Sequence, residues 1–192
     1  MKKTITTVLC ATMAVCNTLN AQENMEIKEK MPFAYVDAKT IKSHNDNPFG
    51  LVYADAIAEN KEGAVNIHPI VYDLNGLKIA ANVYTPAGYD TAKNYPALVV
   101  AHPNGGVKEQ VAGLYSQRMA EAGYICLAFD AAYQGASEGE PRNTVSPEIY
   151  AEDFSAAADF LGTREFVERS GIGAIGICGS GSFAVSAAKI DP

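Results

Sequence analysis

Several residue types that often reveal a protein's chemistry are scarce in this chain. Its 192 residues include no Trp, three His and four Cys. The three His residues (His44, His68 and His102) stand far apart without ligand spacing, so we expect no metal and no cofactor. No internal repeat or low-complexity segment is present. A composition that is 48% hydrophobic and 19% charged therefore predicts an ordinary globular domain with a core.

No apolar run is long enough to span a bilayer, but the N-terminus has the pattern of a secretory signal peptide. Residues 1–21 combine a basic start with Lys2 and Lys3, a mostly apolar run from Ile5 to Val15, and small residues at a cleavage site. Neither Cys residue of this segment follows the small residues of a lipoprotein signal. We therefore expect soluble export, to the periplasm or the medium, without a membrane partner.

Basic residues are also few. Removal of residues 1–21 would leave 13 basic against 22 acidic residues, a formal net charge of −9. Such a chain repels phosphate backbones and anionic lipid head groups, so we expect neither nucleic acid nor a membrane surface as partner. Cys126 and Cys178 would be the remaining cysteines, and two cysteines in a domain of this size form no disulfide framework.

Residues 22–62 are predicted to be a leading arm with one helix. Asn47-Pro48 is a helix-start signal and Gly63 a helix-end signal. The apolar residues between them recur at helical spacing: Phe49, Val52, Tyr53, Ala56 and Ile57.

Residues 63–192 begin with a hairpin pattern and continue with alternating strand and helix patterns. Asn75-Gly76 is a strong turn signal between the predicted strands 65–74 and 77–84. Apolar runs predict buried strands at 96–102 and 124–129, and Ser146-Pro147 begins a helix. This order predicts an α/β fold with a mostly parallel sheet and helices on both faces.

The most informative stretch is Gly171-Ile172-Gly173-Ala174-Ile175-Gly176-Ile177-Cys178-Gly179-Ser180-Gly181-Ser182. An apolar strand, a turn of small residues and a helix of small residues predict a nucleophile elbow. Cys178 has the small residues Gly176 and Ser180 two positions before and after it. Ser180 has the more crowded neighbours Cys178 and Ser182. The steric comparison favours Cys178 as nucleophile, with Ser180 as the alternative; a free Cys can also be simply a small buried apolar residue.

Three stretches in order resemble the N-terminal half of an α/β-hydrolase of the dienelactone-hydrolase and acyl-esterase branch. They are Ala101–Gly106, then Phe129-Asp130 followed by Gly135–Gly139, and then the elbow. The resemblance covers about residues 64–192. It implies a hydrolase of ester or acyl bonds that acts on a small-molecule substrate through an acyl-enzyme intermediate.

An oxyanion hole in such an elbow requires the N–H of the residue after the nucleophile, Gly179, and one N–H from the loop after the strand 96–102. Pro103 has no N–H to donate, so Asn104 is the expected second donor. The resemblance implies that His102 supports this loop rather than acting as the base, and that Asp130 organises the next loop.

Charged residues around that next loop leave a further alternative open. Glu140-Pro141-Arg142 and Glu152-Asp153 could pair across the loop and fix its shape, or they could form a solvated charged face.

The resemblance places the acid and the His of the triad after the elbow, whereas this sequence ends at Pro192. We therefore expect an incomplete copy of an exported hydrolase, without the acid and the His, whose elbow strand has an edge open to self-association. If this is the whole translated product, we expect it to be inactive. The alternatives are a non-catalytic half-domain that acts in binding or assembly, and an inactive remnant. In the family's strand order Cys126 and Cys178 lie about 9 to 10 Å apart, so we expect two free thiols.

Overall fold

The computed structural model of the protein describes residues 6–7 and 46–190. Most of the predicted signal peptide and of the leading arm lies outside the described residues. The strands are β1 (Thr6–Thr7), β2 (Asn66–Leu74), β3 (Leu77–Thr85), β4 (Tyr95–Ala101), β5 (Ile125–Phe129) and β6 (Val167–Gly176). A π-helical turn (Lys108–Ala112) leads into α1 (Gly113–Glu121), and the other helices are α2 (Pro147–Gly162) and α3 (Gly179–Ile190).

The strands form one mixed sheet in the order β1-β6-β4-β5-β3-β2. β4 pairs in parallel with both β5 and β6, whereas the hairpin β2–β3 is antiparallel and joins β5 in antiparallel fashion. The predicted α/β fold is confirmed. The carboxyl ends of β4, β5 and β6 meet at one edge of the sheet, where the loops that follow them lie close together.

The outer edge of β6 is paired over a short stretch. β1 runs parallel to it, with Thr6 opposite Gly173 and Thr7 opposite Ala174. At these two positions the elbow strand is therefore not the open edge that the sequence predicts.

Both faces of the sheet are covered by apolar residues. One cluster lies under α2 and α3 and includes Val99, Leu127 and Phe154, all at most 3% exposed. The other lies under α1 and the arm and includes Leu98, Cys126 and Leu51, also at most 3% exposed. The helices on both faces are thus explained by two apolar surfaces of one sheet. No helix within the described ranges is long and apolar enough to cross a membrane.

The helix predicted between Asn47 and Gly63 is wrong, because residues 47–64 form turns. The Asn47 side-chain oxygen accepts the N–H groups of Phe49 and Leu51, and the Gly50 N–H donates to the Asn47 carbonyl oxygen, which closes a turn. Gly50 then has a φ of 71°, which a helix does not allow. The apolar spacing therefore indicated correctly that these residues pack against the sheet, but not how the backbone runs.

Candidate active site at the strand–helix elbow

Cys178 lies in the turn between β6 and α3 and has a φ of 58°, a left-handed conformation that non-glycine residues rarely adopt. Its side chain is exposed. Strand and helix approach so closely that a Cβ on Gly176 would overlap the carbonyl oxygen of Ser180. Only glycine fits at that position, two residues before Cys178. This is the geometry in which an elbow presents a nucleophile above a sheet.

Ser180, the alternative nucleophile, occupies a different environment. It lies in the first turn of α3, is fully buried, and donates its hydroxyl to the His102 carbonyl oxygen at 2.5 Å. This hydrogen bond joins the elbow helix to the loop after β4. The Ser180 hydroxyl therefore holds two segments together and does not face solvent as the Cys178 thiol does.

The loop after β4 places Asn104 beside the elbow. A turn closes from Pro103 to Gly106, with the Gly106 N–H donating to the Pro103 carbonyl at 2.8 Å. A Cβ on Gly179 would come within 2.6 Å of the Asn104 side-chain nitrogen. The two residues from which the sequence predicts oxyanion donors are thus neighbours. Within residues 46–190, the Gly179 N–H donates to no backbone acceptor.

His102 is fully buried, and both of its ring nitrogens are engaged. Nε2 accepts the N–H of Ala131 at 3.1 Å, so Nδ1 carries the proton and donates to the Pro103 carbonyl oxygen at 2.7 Å. Burial lowers the pKa of His102, which keeps the ring neutral as this pattern requires. The ring therefore joins the loops after β4 and β5, and no nitrogen remains to take a proton from a nucleophile.

Asp130, the first residue after β5, is fully buried and accepts three hydrogen bonds. The Lys108 N–H and ammonium donate to it at 2.7 and 2.8 Å, and the Ala136 N–H donates at 2.8 Å. A Cβ on Gly135 would overlap the carboxylate, so this glycine allows the loop to fold around Asp130. Asp130 thus organises the loop after β5.

Lys108 completes this cluster and was missed in the sequence. Its side chain is 8% exposed and contacts the carboxylates of Asp130 and Glu109. Burial alone would lower the pKa of Lys108, but the two carboxylates outweigh this and raise it, so the ammonium stays charged. A single Lys after a glycine turn gives no sign that it pairs with a residue 22 positions further on.

Arg142 and the pair Glu152-Asp153 do not form ion pairs across the loop. The Arg142 guanidinium donates to the carbonyl oxygens of residues 135, 137 and 139, and Glu152 accepts from the side chain of Asn75. Asp153 is fully buried in α2 and accepts the Ala132 N–H at 3.1 Å. Neither sequence alternative describes Asp153, which is a buried carboxyl without a cationic partner among residues 46–190.

Cys126 and Cys178 are both free thiols, as predicted. Cys126 is buried in β5, and burial raises the pKa of its thiol, so it stays protonated. His68 lies on the edge strand β2 and contacts Thr85 at 3.1 Å, and the strands β3, β5 and β4 separate it from the elbow strand β6. His44 lies outside the described residues. No group of His, Cys, Asp and Glu in the described part of the chain could hold a metal ion.

The arrangement as a whole presents one exposed thiol at a strained turn, next to backbone N–H groups at a helix N-terminus. Such N–H groups stabilise negative charge that develops on an oxygen atom beside the thiol. Behind the turn, the buried side chains of Ser180, His102, Asp130, Lys108 and Asp153 hold the loops that surround it.

Comparison with known proteins is consistent with this geometry. The model of the X-Pro dipeptidyl-peptidase (S15) family matches residues 75–192. The uncharacterized protein YcjY of Escherichia coli is 45% identical over 115 residues, which are 60% of this chain and 38% of that protein. The crystal structure of the hypothetical protein PA2218 of Pseudomonas aeruginosa superposes with a TM-score of 0.62 at 45% identity, over 66% of this chain and 39% of that one.

A third relative carries a functional name. The thiohydrolase aneE of Aspergillus aculeatus is 36% identical over 118 residues, 62% of this chain and 36% of that protein. The chain thus spans less than two fifths of the length of each of these relatives.

Proposed function

Because the chain belongs to the X-Pro dipeptidyl-peptidase (S15) family and has the α/β-hydrolase fold, we propose that it carries the nucleophile of a hydrolase of ester or acyl bonds. The observation that carries this proposal is the exposed Cys178 at a φ of 58° between β6 and α3. Ser180, the alternative, is buried and bonded to a carbonyl oxygen, so the proposal assigns the reaction to Cys178.

In the proposed reaction the Cys178 sulfur attacks the carbonyl carbon of a small ester or thioester. The bond to the leaving alcohol or thiol breaks, and the acyl group remains on Cys178 as a thioester, which water then hydrolyses. The oxygen of the tetrahedral intermediate would lie between the backbone N–H groups of Gly179 and Asn104. The proximity of these two residues supports this role.

A thiol nucleophile needs a base within hydrogen-bond reach. His102 cannot serve, since both ring nitrogens are engaged, and His68 lies on β2, which β3, β5 and β4 separate from the elbow strand. The proposal therefore places the base and its acid partner in the whole protein, after the elbow in chain order, as α/β-hydrolases have them. The greater length of the relatives supports that placement.

Two further features support an exported hydrolase of acyl bonds. The signal-peptide pattern of residues 1–21 supports export of the protein. The thiohydrolase name of the Aspergillus relative supports cleavage of acyl–sulfur or acyl–oxygen bonds.

Acylation of the folded chain by p-nitrophenyl acetate tests the proposal. The thiol displaces p-nitrophenolate and gains an acetyl group, which mass spectrometry of the peptides locates. We expect acetylation of Cys178 at least about tenfold faster in the folded chain than in the same chain in urea, because oxyanion donors typically accelerate such reactions by more than this.

Two variants locate the reaction. Cys178→Ala should abolish the fast acetylation, and Cys126→Ala should leave it unchanged because Cys126 is buried. Equal rates in folded and unfolded chains, or fast acetylation that persists in Cys178→Ala and maps to Ser180, would contradict the assignment.

A further inference from the structure

The side-chain amide of Asn104 lies beside the elbow, on the residue that follows Cys178. Asn104 is exposed and belongs to the turn of residues 103–106 after β4. A Cβ added to Gly179 would come within 2.6 Å of Asn104 Nδ2, 2.9 Å of Cγ and 3.0 Å of Oδ1. Since that Cβ would stand one bond from the Gly179 Cα, the whole amide group packs against the backbone of Gly179.

This amide has no hydrogen-bond partner among residues 46–190. The backbone N–H groups of Asn104 and Gly179 also donate to no acceptor in that part of the chain. Other donors of the surrounding loops are paired, including the N–H groups of Gly106, Ala131 and Ala136. Three donors that water alone can satisfy therefore meet beside the Cys178 thiol, and an oxygen that carries negative charge is a stronger acceptor than water.

The loop that carries Asn104 is held against the elbow helix. The Ser180 hydroxyl donates to the His102 carbonyl oxygen at 2.5 Å, two residues before Asn104. The Gly106 N–H closes the turn on the Pro103 carbonyl oxygen at 2.8 Å. Glycine at position 179 leaves the space that the Asn104 amide occupies. Donors held in place in this way need little reorganisation when charge develops on a substrate.

We propose that the Asn104 side chain is a third oxyanion donor, in addition to the backbone N–H groups of Gly179 and Asn104. The inference rests on the proposed function, in which the Cys178 sulfur attacks a carbonyl carbon. The thiol proton passes to water, and as the carbon–sulfur bond forms, the carbonyl π electrons move to the oxygen, which accepts a hydrogen bond from Asn104 Nδ2. The bond to the leaving group then breaks, and the negative charge departs with that group. Because the oxygen carries this charge only in the tetrahedral state, the hydrogen bond accelerates acylation.

Two reactions of the same thiol test the proposal. p-Nitrophenyl acetate acetylates Cys178 through an oxyanion, whereas iodoacetamide alkylates it by displacing iodide from a saturated carbon, where no oxyanion forms. Asn104→Leu keeps the branched shape of the side chain and the backbone N–H, but it lacks the side-chain donor. We expect acetylation at least about tenfold slower in folded Asn104→Leu than in the parent chain, and alkylation within about twofold of the parent rate.

A matched control and a second variant make the result specific. Asn94→Leu is the control, because Asn94 is also exposed but precedes β4, at the opposite end of that strand from Asn104. It should leave both rates unchanged. Asn104→Ala also removes the donor, and it should show the same selective loss of acetylation if the leucine variant does not fold.

The remaining outcomes separate this inference from the proposed function. Equal slowing of acetylation and alkylation would overturn it, because Asn104 would then control access to the thiol or its ionisation. Acetylation of both Asn104 variants at the parent rate would also overturn it, while the proposed function would stand if the folded parent chain still reacts faster than the chain in urea. A parent chain that reacts no faster when folded would contradict both.

Discussion

From the buried carboxyl of Asp153 we predict how the free energy of unfolding depends on pH. Asp153 is fully buried in α2, and the N–H of Ala132 is the donor to its carboxylate. Nearby, the hydroxyls of Tyr72 and Tyr150 are buried without partners in the described part of the chain. Burial raises the pKa of Asp153; the Ala132 N–H opposes this shift and the neighbouring Glu152 adds to it, and together they bring the pKa to about 7.

The magnitude follows from the difference between this pKa and that of an unfolded Asp, about 3.9. A pKa difference of roughly three corresponds to about 4 kcal/mol in the free energy of unfolding, since each pKa unit is worth about 1.4 kcal/mol. Because the folded protein favours the protonated form, this stabilisation is fully present below about pH 4. It is lost progressively as the pH rises through about 7, where the buried group ionises without a cation beside it.

The test compares Asp153→Asn with the parent chain by urea unfolding at intervals between pH 4 and pH 8. The Asn oxygen still accepts from Ala132, and its amide does not ionise. We expect similar free energies of unfolding at pH 4 and a variant that is more stable by up to roughly 4 kcal/mol at pH 8. Subtraction of the two curves removes the contribution of groups that titrate equally in both proteins.

Asp90 offers a matched control, since it also accepts one backbone N–H, from Ala92 at 2.9 Å, but is exposed. Asp90→Asn should change the free energy of unfolding by a nearly constant amount over this pH range. A difference between Asp153→Asn and the parent chain that does not vary with pH would refute the reasoning.

Four further substitutions test the packing around the elbow. In urea unfolding, Gly176→Ala should lower the free energy of unfolding by more than about 3 kcal/mol, because the new Cβ would overlap the Ser180 backbone. Gly181→Ala is the control and should cost much less, because its Cβ would come no closer than 3.4 Å to the Gly176 carbonyl oxygen. Lys108→Met should lower the free energy of unfolding by about 3 to 5 kcal/mol in the same assay, because Asp130 would stay buried without its cation. A decrease of less than about 1 kcal/mol would contradict a stabilising ion pair. Ser180→Ala should cost about 1 to 3 kcal/mol but preserve Cys178 alkylation by iodoacetamide; loss of alkylation in a folded variant would contradict the supporting role.

Much of the sheet could be predicted because its signals are local. The Asn75-Gly76 turn and two apolar runs specify β2 to β5 to within a residue or two. Ser146 was predicted as the N-cap of α2, and its hydroxyl does accept the Ile149 N–H, at 3.3 Å. The prediction of a helix in the arm was wrong because amphipathic spacing indicates only which residues are buried. The left-handed φ of Gly50 turns the backbone there.

The elbow could be located from small residues and apolar pattern, but sequence alone left the nucleophile open. The contrast between Cys178 and Ser180 depends on a bond from Ser180 to a carbonyl 78 residues earlier in the chain. The same holds for Lys108, whose partner Asp130 becomes its neighbour only when the loops after β4 and β5 meet at one edge of the sheet. Contacts between distant segments leave no periodicity in the sequence, so these residues had to be found in three dimensions.

The two hydrogen bonds of the His102 ring have a consequence for mutational tolerance. The ring must donate from one nitrogen to Pro103 and accept with the other from Ala131, inside a fully buried site. Asn, Gln and the hydroxyl side chains also combine a donor with an acceptor, but none of them has the rigid spacing of the two nitrogens of an imidazole ring. In a library covering every substitution, position 102 should therefore rank among the least permissive of the chain, although it takes no part in the proposed chemistry.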